Sequence, residues 1–372
     1  MVGVKMRRDT AFVFVLCGAA EYIETLNYSL AALARFSRSR IVVVTDTARN
    51  ELPINAPEII DIRTPSDYSN HEASIYLKTG VHKFVPEGPL YCYLDTDVVA
   101  ISREVDSIFQ CYHEPITFAP DHSVLRDFSP YTVRCGCAEI HAEEAVQVQK
   151  LIQYIARRES ALEAKATAEA ALQDQPVSII GRALSKLGIK KSPPPLPVIE
   201  IPEEDWTDWQ WDKGKNTWIT PTGRDAYHLE CDHLIPAARE KYGVEITDAG
   251  WQHWNGGVFL FDEHSKEFLD AWHERSMQAA ADPYWKTRDQ GTLIVTAWAF
   301  GLMNHPTLPR RYNFLLDAGG FNNGASFMET VKQAGADGED GKQRLPLFCH
   351  VFLRFGDSGW DVWQWIDARV RI

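Results

Sequence analysis

No run in the 372 residues approaches the ~18 consecutive apolar side chains that a membrane span requires. The most apolar early stretch, Ala11-Phe12-Val13-Phe14-Val15-Leu16-Cys17, follows Lys5, Arg7 and Arg8. It is short, no clean small-x-small cleavage site follows it, and it reads better as a buried first strand than as a secretory leader. Cysteine is sparse. The seven thiols (Cys17, Cys92, Cys111, Cys135, Cys137, Cys231, Cys349) are odd in number and lack the spacing of a disulfide framework, which points to a reducing, cytoplasmic setting. Cys135-Gly136-Cys137 has no second pair nearby, so it reads as free thiols in a turn rather than a zinc site. Basic charge is also short: 38 Lys and Arg against 51 Asp and Glu leave a net charge of −13. That balance excludes broad nucleic-acid backbone binding and leaves a small anionic ligand in need of a local cation. No internal repeat is present, which excludes a solenoid or propeller.

What is present is ordinary globular material, 45% apolar and 24% charged, with enough length for one elaborated α/β domain. Residues 11–17 and Ile41-Val42-Val43-Val44-Thr45 are β-branched or apolar runs. Between them Leu26, Leu30, Leu33 and Ala34 recur at helical spacing in the stretch Tyr22 to Arg35. This is a βαβ pattern, and its continuous rather than alternating apolarity predicts a mixed, mostly parallel sheet covered by helices on both faces. Pro89 to Leu94 supplies a further strand that runs directly into Asp95-Thr96-Asp97. Two carboxylates are thereby placed at a strand's C-terminal end, where open α/β sheets bind ligands.

The middle of the chain changes character. Ala145, Val148, Leu151, Ile152 and Ile155 open a helical, Ala/Glu-rich run to Leu172, and residues 177–191 read as a short basic amphipathic helix before the stiff Pro193-Pro194-Pro195 connector. That helix suits packing on its own domain, with peripheral contact to a membrane surface or partner as the alternative. Trp206, Trp209, Trp211, Trp218, Trp251 and Trp254 then crowd into residues 201–254. They fit either a small satellite core or flat platforms for sugar rings on an acceptor-side insertion. Beyond them a strand at Gly257 to Phe261, a helix from about Ser265 to Ala280 and another from Asp289 to Phe300 resume the core, with Asp289 placed to cap the last.

Residues i and i+2 of an extended segment face one side, so Asp95 and Asp97 can address one hard divalent ion, Mn²⁺ or Mg²⁺. A bridging ion of that kind stabilises the charge that gathers on a leaving diphosphate. His350, in Phe348-Cys349-His350-Val351-Phe352, is a candidate third ligand, with a buried core histidine as the competing reading.

The order of these motifs resembles the GT-A glycosyltransferases, in particular the glycogenin and bacterial galactosyltransferase-like retaining family. It is carried by the first strand, Val43-Val44-Thr45-Asp46, Lys78, Tyr93-Leu94-Asp95-Thr96-Asp97, Asn255-Gly256-Gly257-Val258-Phe259-Leu260, Asp289-Gln290, Leu308-Pro309 through Asn313, and His350 followed by Gly356 and Trp360. The resemblance implies a nucleotide-diphospho-sugar transferase core, with residues 1–150 forming a nucleotide-binding half. Residues 151–250 would be an insertion, and residues 251–372 a sugar and acceptor half carrying the C-terminal ligand loop. It also implies hexosyl transfer from a UDP-sugar to a carbohydrate or glycoconjugate acceptor, with retention. Asp95, Asp97 and His350 would hold the metal. Tyr22, Asp46, Lys78, Thr96, Asn255, Gly256 and Gly257 would line the donor site, and Asp289 and Gln290 would lie at the reacting centre.

Two departures stand out. Ser358-Gly359-Trp360 replaces the family's Lys-Pro-Trp, so its phosphate-binding lysine is missing and Arg354 is the nearest substitute; Lys286 stands where glycogenin-like relatives carry an acid. Two other classes compete. Leu94-Asp95-Thr96-Asp97-Val98-Val99 with Gly356-Asp357-Ser358-Gly359-Trp360-Asp361 also resembles the motifs of haloacid-dehalogenase-like phosphatases, in which Asp95 would be a nucleophile. The tryptophans alone would suit a non-catalytic carbohydrate-binding protein.

Overall fold

The computed structural model describes residues 9–127, 136–173, 210–212, 217–219, 234–282, 285, 288–316, 327 and 345–371. The chain divides into two compact units, residues 1–134 with 230–372, and residues 135–229. The first unit begins β1 (Thr10–Val15), α1 (Ala20–Phe36), β2 (Arg40–Thr45), β3 (Glu58–Asp61), α2 (Asn70–Thr79), β4 (Leu90–Leu94), β5 (Val98–Ala100) and β6 (Thr117–Val124). The second unit holds α3 (Gly136–Gln173) and a hairpin of β7 (Gln210–Asp212) and β8 (Thr217–Ile219). The first unit then resumes with α4 (Leu234–Tyr242), β9 (Gln252–Phe261), α5 (Lys266–Ala280), α6 (Arg288–Ala299), β10 (Phe314–Leu315), β11 (Phe348–His350) and α7 (Asp361–Arg371).

The principal sheet has the order β3-β2-β1-β4-β9-β6. β1 pairs in parallel with β2 and β4, and β2 with β3, whereas β9 runs antiparallel to both of its neighbours, β4 and β6. The mixed, mostly parallel sheet expected from the sequence is therefore observed. Its continuous apolar strands follow from burial on both faces. Phe12 and Phe14 of β1 join Ile23, Leu26, Leu30 and Leu33 of α1 in one core layer. The alternate residues Ala11, Val13 and Val15 join the layer that contains Leu77 of α2, Phe268 and Trp272 of α5 and Leu293 of α6. A smaller sheet, β10-β11-β5, packs with Trp360, Val362, Trp363 and Ile366 at the start of α7.

Several local expectations change. α3 begins at Gly136, so Gly136 and Cys137 are helical rather than in a turn. Trp251 and Trp254 are 8% and 1% exposed, and Trp254 stacks on Phe118 at 5.2 Å. Those two indoles are core residues and offer no platform to a sugar. Trp211 and Trp218 are cross-strand partners in the β7–β8 hairpin. Residues 177–191, Pro193 to Pro195, Trp206, Trp209, Cys135 and Lys286 lie outside the described residues. Among the described residues no helix is long and apolar enough to cross a membrane.

The α2–α5 contact also sets an acid sensitivity. Buried His273 of α5 bonds Thr79 of α2 through Nδ1 at 2.8 Å. Burial first, then the positive neighbours Lys83 and His82, lower its pKa to about 4. Between that value and its ordinary value of about 6.5 the unfolded chain binds a proton that the folded chain does not, so stability falls as pH drops through this window. The expected loss is at most about 3 kcal/mol for this one group. Urea midpoints at about pH 7 and about pH 4.5 should separate less in His273→Gln than in the wild type.

Candidate functional site

β4 ends at Leu94, and the chain turns through Asp95-Thr96-Asp97 into β5. Each backbone step of that turn is pinned by a different element. The Asp95 N–H donates to Gly257 O in β9 at 2.8 Å, and Val351 N–H, just past β11, donates to Asp97 O at 3.0 Å. Ser29 of α1 donates its hydroxyl to Thr96 O at 2.7 Å. The carboxylates are therefore aimed by the sheet rather than by a free loop.

The Tyr93 hydroxyl donates to Asp95 Oδ1 at 2.6 Å, and Lys78, from the last turn of α2, places Nζ 3.1 Å from Asp95 Oδ1 and 3.1 Å from Asp289 Oδ2. Burial by itself lowers the Lys78 pKa, but the Asp95 and Asp289 carboxylates outweigh it and hold the ammonium above its usual range. His350 presents Nε2 3.3 Å from Asp97 Oδ1. Burial opposes its charge, yet Asp97 foremost and Asp95 next raise its pKa overall. One ligand atom from each of Asp95, Asp97 and His350 lies within 4.8 Å of the others, the single cluster of three or more such residues found among the described residues.

This donor set fits a hard divalent cation. Among the described residues, the three carboxylates of Asp95, Asp97 and Asp289 face Lys78 and His350 as cationic groups, so the site carries a negative excess that a divalent ion offsets. The cradle is also closed in by backbone: a Cβ at Gly257 would stand 2.6 Å from His350 Cε1 and 2.9 Å from both Asp95 Oδ2 and Asn255 Oδ1. Only a glycine lets β9 pass this close to the ligands.

A cavity of about 340 Å³ opens beside the cluster, lined among others by Cys17, Tyr22, Asn70, Lys78, Thr96 and Asp289. Its size suits a small organic ligand. Tyr22 is 55% exposed at the rim. A second cavity of about 290 Å³ lies at the opposite end of β4, between Pro86 to Pro89 and Phe261 to Lys266, away from the strand ends at which α/β sheets place ligands.

Solved structures that resemble the chain include three glycosyltransferases. The bifunctional glycosyltransferase WbbM, in its apo form, matches 98% of this chain at 9% identity and a TM-score of 0.45, with 50% of its own length covered. Mouse xyloside xylosyltransferase 1 matches 94% of this chain at 13% identity and a TM-score of 0.39, with 98% of its length covered. The glycosyltransferase GlyE of Streptococcus pneumoniae matches 98% at 13% identity and a TM-score of 0.41, with 63% of its length covered. This chain spans half of WbbM and under two thirds of GlyE. No protein-family model matches the sequence, nor does any curated protein. What the pocket does is decided by its own side chains.

The structure gathers Tyr22, Lys78, Asp95, Thr96 and Asp289 around one cavity, and joins Asp97 and His350 to Asp95. Thr96, placed at the donor site by the resemblance, is part of that lining. Asp289 falls inside the first turn of α6 rather than at its cap. There Trp272 Nε1 donates to its backbone carbonyl at 2.8 Å while its carboxylate meets Lys78.

Asn255 and Gln290 are turned toward the protein. Asn255 Oδ1 accepts from Gly257 N at 2.9 Å, and its Nδ2 donates to Asp121 at 2.9 Å. Gln290 Oε1 accepts from Gly256 N at 3.1 Å and its Nε2 donates to Trp254 O. Both amides brace the bend of β9 at Gly256-Gly257. Asp46 is not brought to the cavity. It is 2% exposed and accepts from Thr64 N, Thr64 Oγ1, Ala48 N and Arg63. Burial raises its pKa, but these bonds outweigh that and lower it to about 2. Arg354 is likewise engaged, donating Nε and Nη2 to Asp357 Oδ2 and lying 4.7 Å over the Trp360 ring.

Sequence reasoning passed over Tyr93, Asn313 and Asp121 as site residues. Tyr93 carried a signal, since it stands two residues before Asp95 on the same face of a strand. Asn313 closed the Leu308-Pro309 motif but was given no role, and Asp121 carried no signal, because their common partner Asn255 is 58 and 134 positions away in sequence.

Proposed function

We propose that the protein is a metal-dependent glycosyltransferase that moves a sugar from a nucleoside-diphosphate donor to a carbohydrate or glycoconjugate acceptor. A UDP-hexose is the favoured donor, and retention at the anomeric carbon follows the resemblance seen in the sequence. The observation that supports this most is the convergence of Asp95, Asp97 and His350 at the C-terminal end of β4, beside a cavity large enough for part of such a donor. Mn²⁺ or Mg²⁺ bound there would neutralise charge accumulating on the departing diphosphate. Asp95 and Asp97 supply hard oxygen ligands and His350 a nitrogen. Lys78 sets a fixed positive charge between Asp95 and Asp289, 3.1 Å from each carboxylate, and holds both in place. Asp289, 25% exposed at its side chain, is free to accept from a hydroxyl of the sugar or acceptor. The exposed ring of Tyr22 offers a flat face for the base at the rim. Gly256-Gly257 lets a ligand approach the β9 backbone, and Asn255 and Gln290 hold that backbone still.

The phosphatase reading needs a second acidic motif to serve Asp95. Asp357, its candidate, has its carboxylate taken up by Arg354 and the Gly359 N–H, and the partners that meet Asp95 are Tyr93 and Lys78. The carbohydrate-binding reading loses Trp251 and Trp254 to the core.

A panel of nucleotide sugars tests the proposal. Nucleoside diphosphate should be released from one or more donors with Mn²⁺ and not after chelation. Hydrolysis of simple phosphate esters through an acyl phosphate trapped at Asp95 would overturn it in favour of a phosphatase.

A further inference from the structure

A chain of amide hydrogen bonds runs from the metal-facing histidine into the core, and each link is directional. Asp121, in β6 and 7% exposed, is a carboxylate that His122 N and His122 Nδ1 approach at 2.8 and 2.7 Å. A carboxylate only accepts, so the Asn255 group facing Asp121 Oδ2 at 2.9 Å is the NH₂. The Gly257 N–H, which only donates, meets the other end of the same amide at 2.9 Å. Two independent anchors therefore give Asn255 one orientation, with Oδ1 toward Asn313. Asn313, 3% exposed, donates Nδ2 to that oxygen at 3.0 Å, which turns its own Oδ1 to His350 Nδ1 at 2.9 Å. An amide oxygen accepts only, so His350 donates from Nδ1.

The consequence is at the other ring nitrogen. A neutral imidazole carries one N–H, and two acceptors compete for it in this site: Asn313 Oδ1 at Nδ1 and Asp97 Oδ1 at Nε2. The Asp97 carboxylate is charged and by itself is the stronger acceptor. Left to Asp97, the neutral ring would carry its proton on Nε2 and present no lone pair to a cation.

We propose that Asn313 is the positioning residue of this site: held in one orientation by Asn255 and Asp121, it commits neutral His350 to the Nδ1–H tautomer and leaves Nε2 as a metal ligand. This deepens the metal-site reading above and rests on it for its purpose, though not for the tautomer itself. Partners of this kind, beyond the ligands, orient a metal-binding histidine and tune its affinity by about 10- to 100-fold.

The test uses full-length protein labelled with ¹⁵N at histidine, metal-free, at about pH 9, where imidazole is neutral, with Mn²⁺ affinity measured separately by electron paramagnetic resonance. Wild-type His350 should show a protonated Nδ1 and an unprotonated Nε2. Asn313→Leu, similar in volume but without an acceptor, should move the proton to Nε2 and weaken Mn²⁺ binding by about 10- to 100-fold. Asn313→Asp restores an acceptor at Nδ1 and should return both the tautomer and most of the affinity, so the inference stays testable if the leucine variant folds poorly. An Nε2–H tautomer in the wild type, or unchanged tautomer and affinity in Asn313→Leu, would overturn the inference. An Nδ1–H wild type that binds no Mn²⁺ overturns the metal reading instead and leaves the tautomer assignment standing.

Discussion

Gly257→Ala is expected to abolish metal binding, weakening Mn²⁺ affinity by at least about a hundredfold, while the chain still folds. The new methyl carbon would lie 2.6 Å from His350 Cε1 and 2.9 Å from Asp95 Oδ2, inside contact distance for both ligands at once. Neither side can give way. His350 is buried and tied to Asn313, and Asp95 is held by Tyr93 and Lys78. β9 itself cannot retreat without breaking the Asp95 N–H to Gly257 O bond at 2.8 Å and the Leu94–Val258 register. Overpacking of this kind costs about 1 to 3 kcal/mol of stability, far less than it costs the site. Gly256→Ala is the internal comparison. Its nearest neighbours would be Gln290 Oε1 at 3.4 Å and Leu293 Cδ2 and Lys78 Nζ at 3.7 Å, all ordinary contact distances, so its effect on Mn²⁺ affinity should be several-fold at most. Equal losses in the two variants would mean that general strain in β9, not obstruction of the ligands, explains the result.

Asp95→Asn should lower turnover with a nucleotide sugar by about a thousandfold or more, equivalent to about 4 kcal/mol of transition-state stabilisation. The amide keeps the shape of Asp95 but loses the charge that binds the cation, and its NH₂ would face Lys78 or the Tyr93 hydroxyl, both of which donate to Asp95. Stability should change little, because the substitution removes one charge from a site that already carries a negative excess and leaves Lys78 paired with Asp289. Steady-state rates at saturating Mn²⁺ and thermal unfolding of the same preparation separate the two effects. A variant that loses activity only in proportion to lost folded protein would show that Asp95 is structural.

How much of this was legible in the sequence differs between the two halves of the chain. The β1–α1–β2 unit was readable because its strands are buried on both faces and therefore stay apolar without interruption, while α1 shows its one buried face as Ile23, Leu26, Leu30 and Leu33. Asp95 and Asp97 were readable because a strand places i and i+2 together. The placement of β9 antiparallel between β4 and β6 was not, since the apolar pattern of a strand is silent about its neighbours. Asp46 shows the same limit: a carboxylate at the end of a strand looked like a donor contact, yet its partners Arg63 and Thr64 lie 17 and 18 residues on. The tryptophans misled for a different reason. Local density of indoles does not distinguish a ring stacked in the core, as Trp254 is on Phe118, from one presented to solvent. The chain from His350 through Asn313 and Asn255 to Asp121 joins β11, the turn before β10, β9 and β6, and no local pattern announces contacts of that range.

The central claim is that Asp95, Asp97 and His350 hold a divalent cation that in turn holds a nucleoside diphosphate. Calorimetric titration of the wild-type protein with UDP and GDP, each with Mn²⁺ and with chelator, addresses it most directly. At least one of the two should bind with Mn²⁺ and fail to bind with chelator, and Asp95→Asn should abolish the metal-dependent signal. Equal binding with and without metal, or a metal-dependent signal that survives Asp95→Asn, would contradict the account.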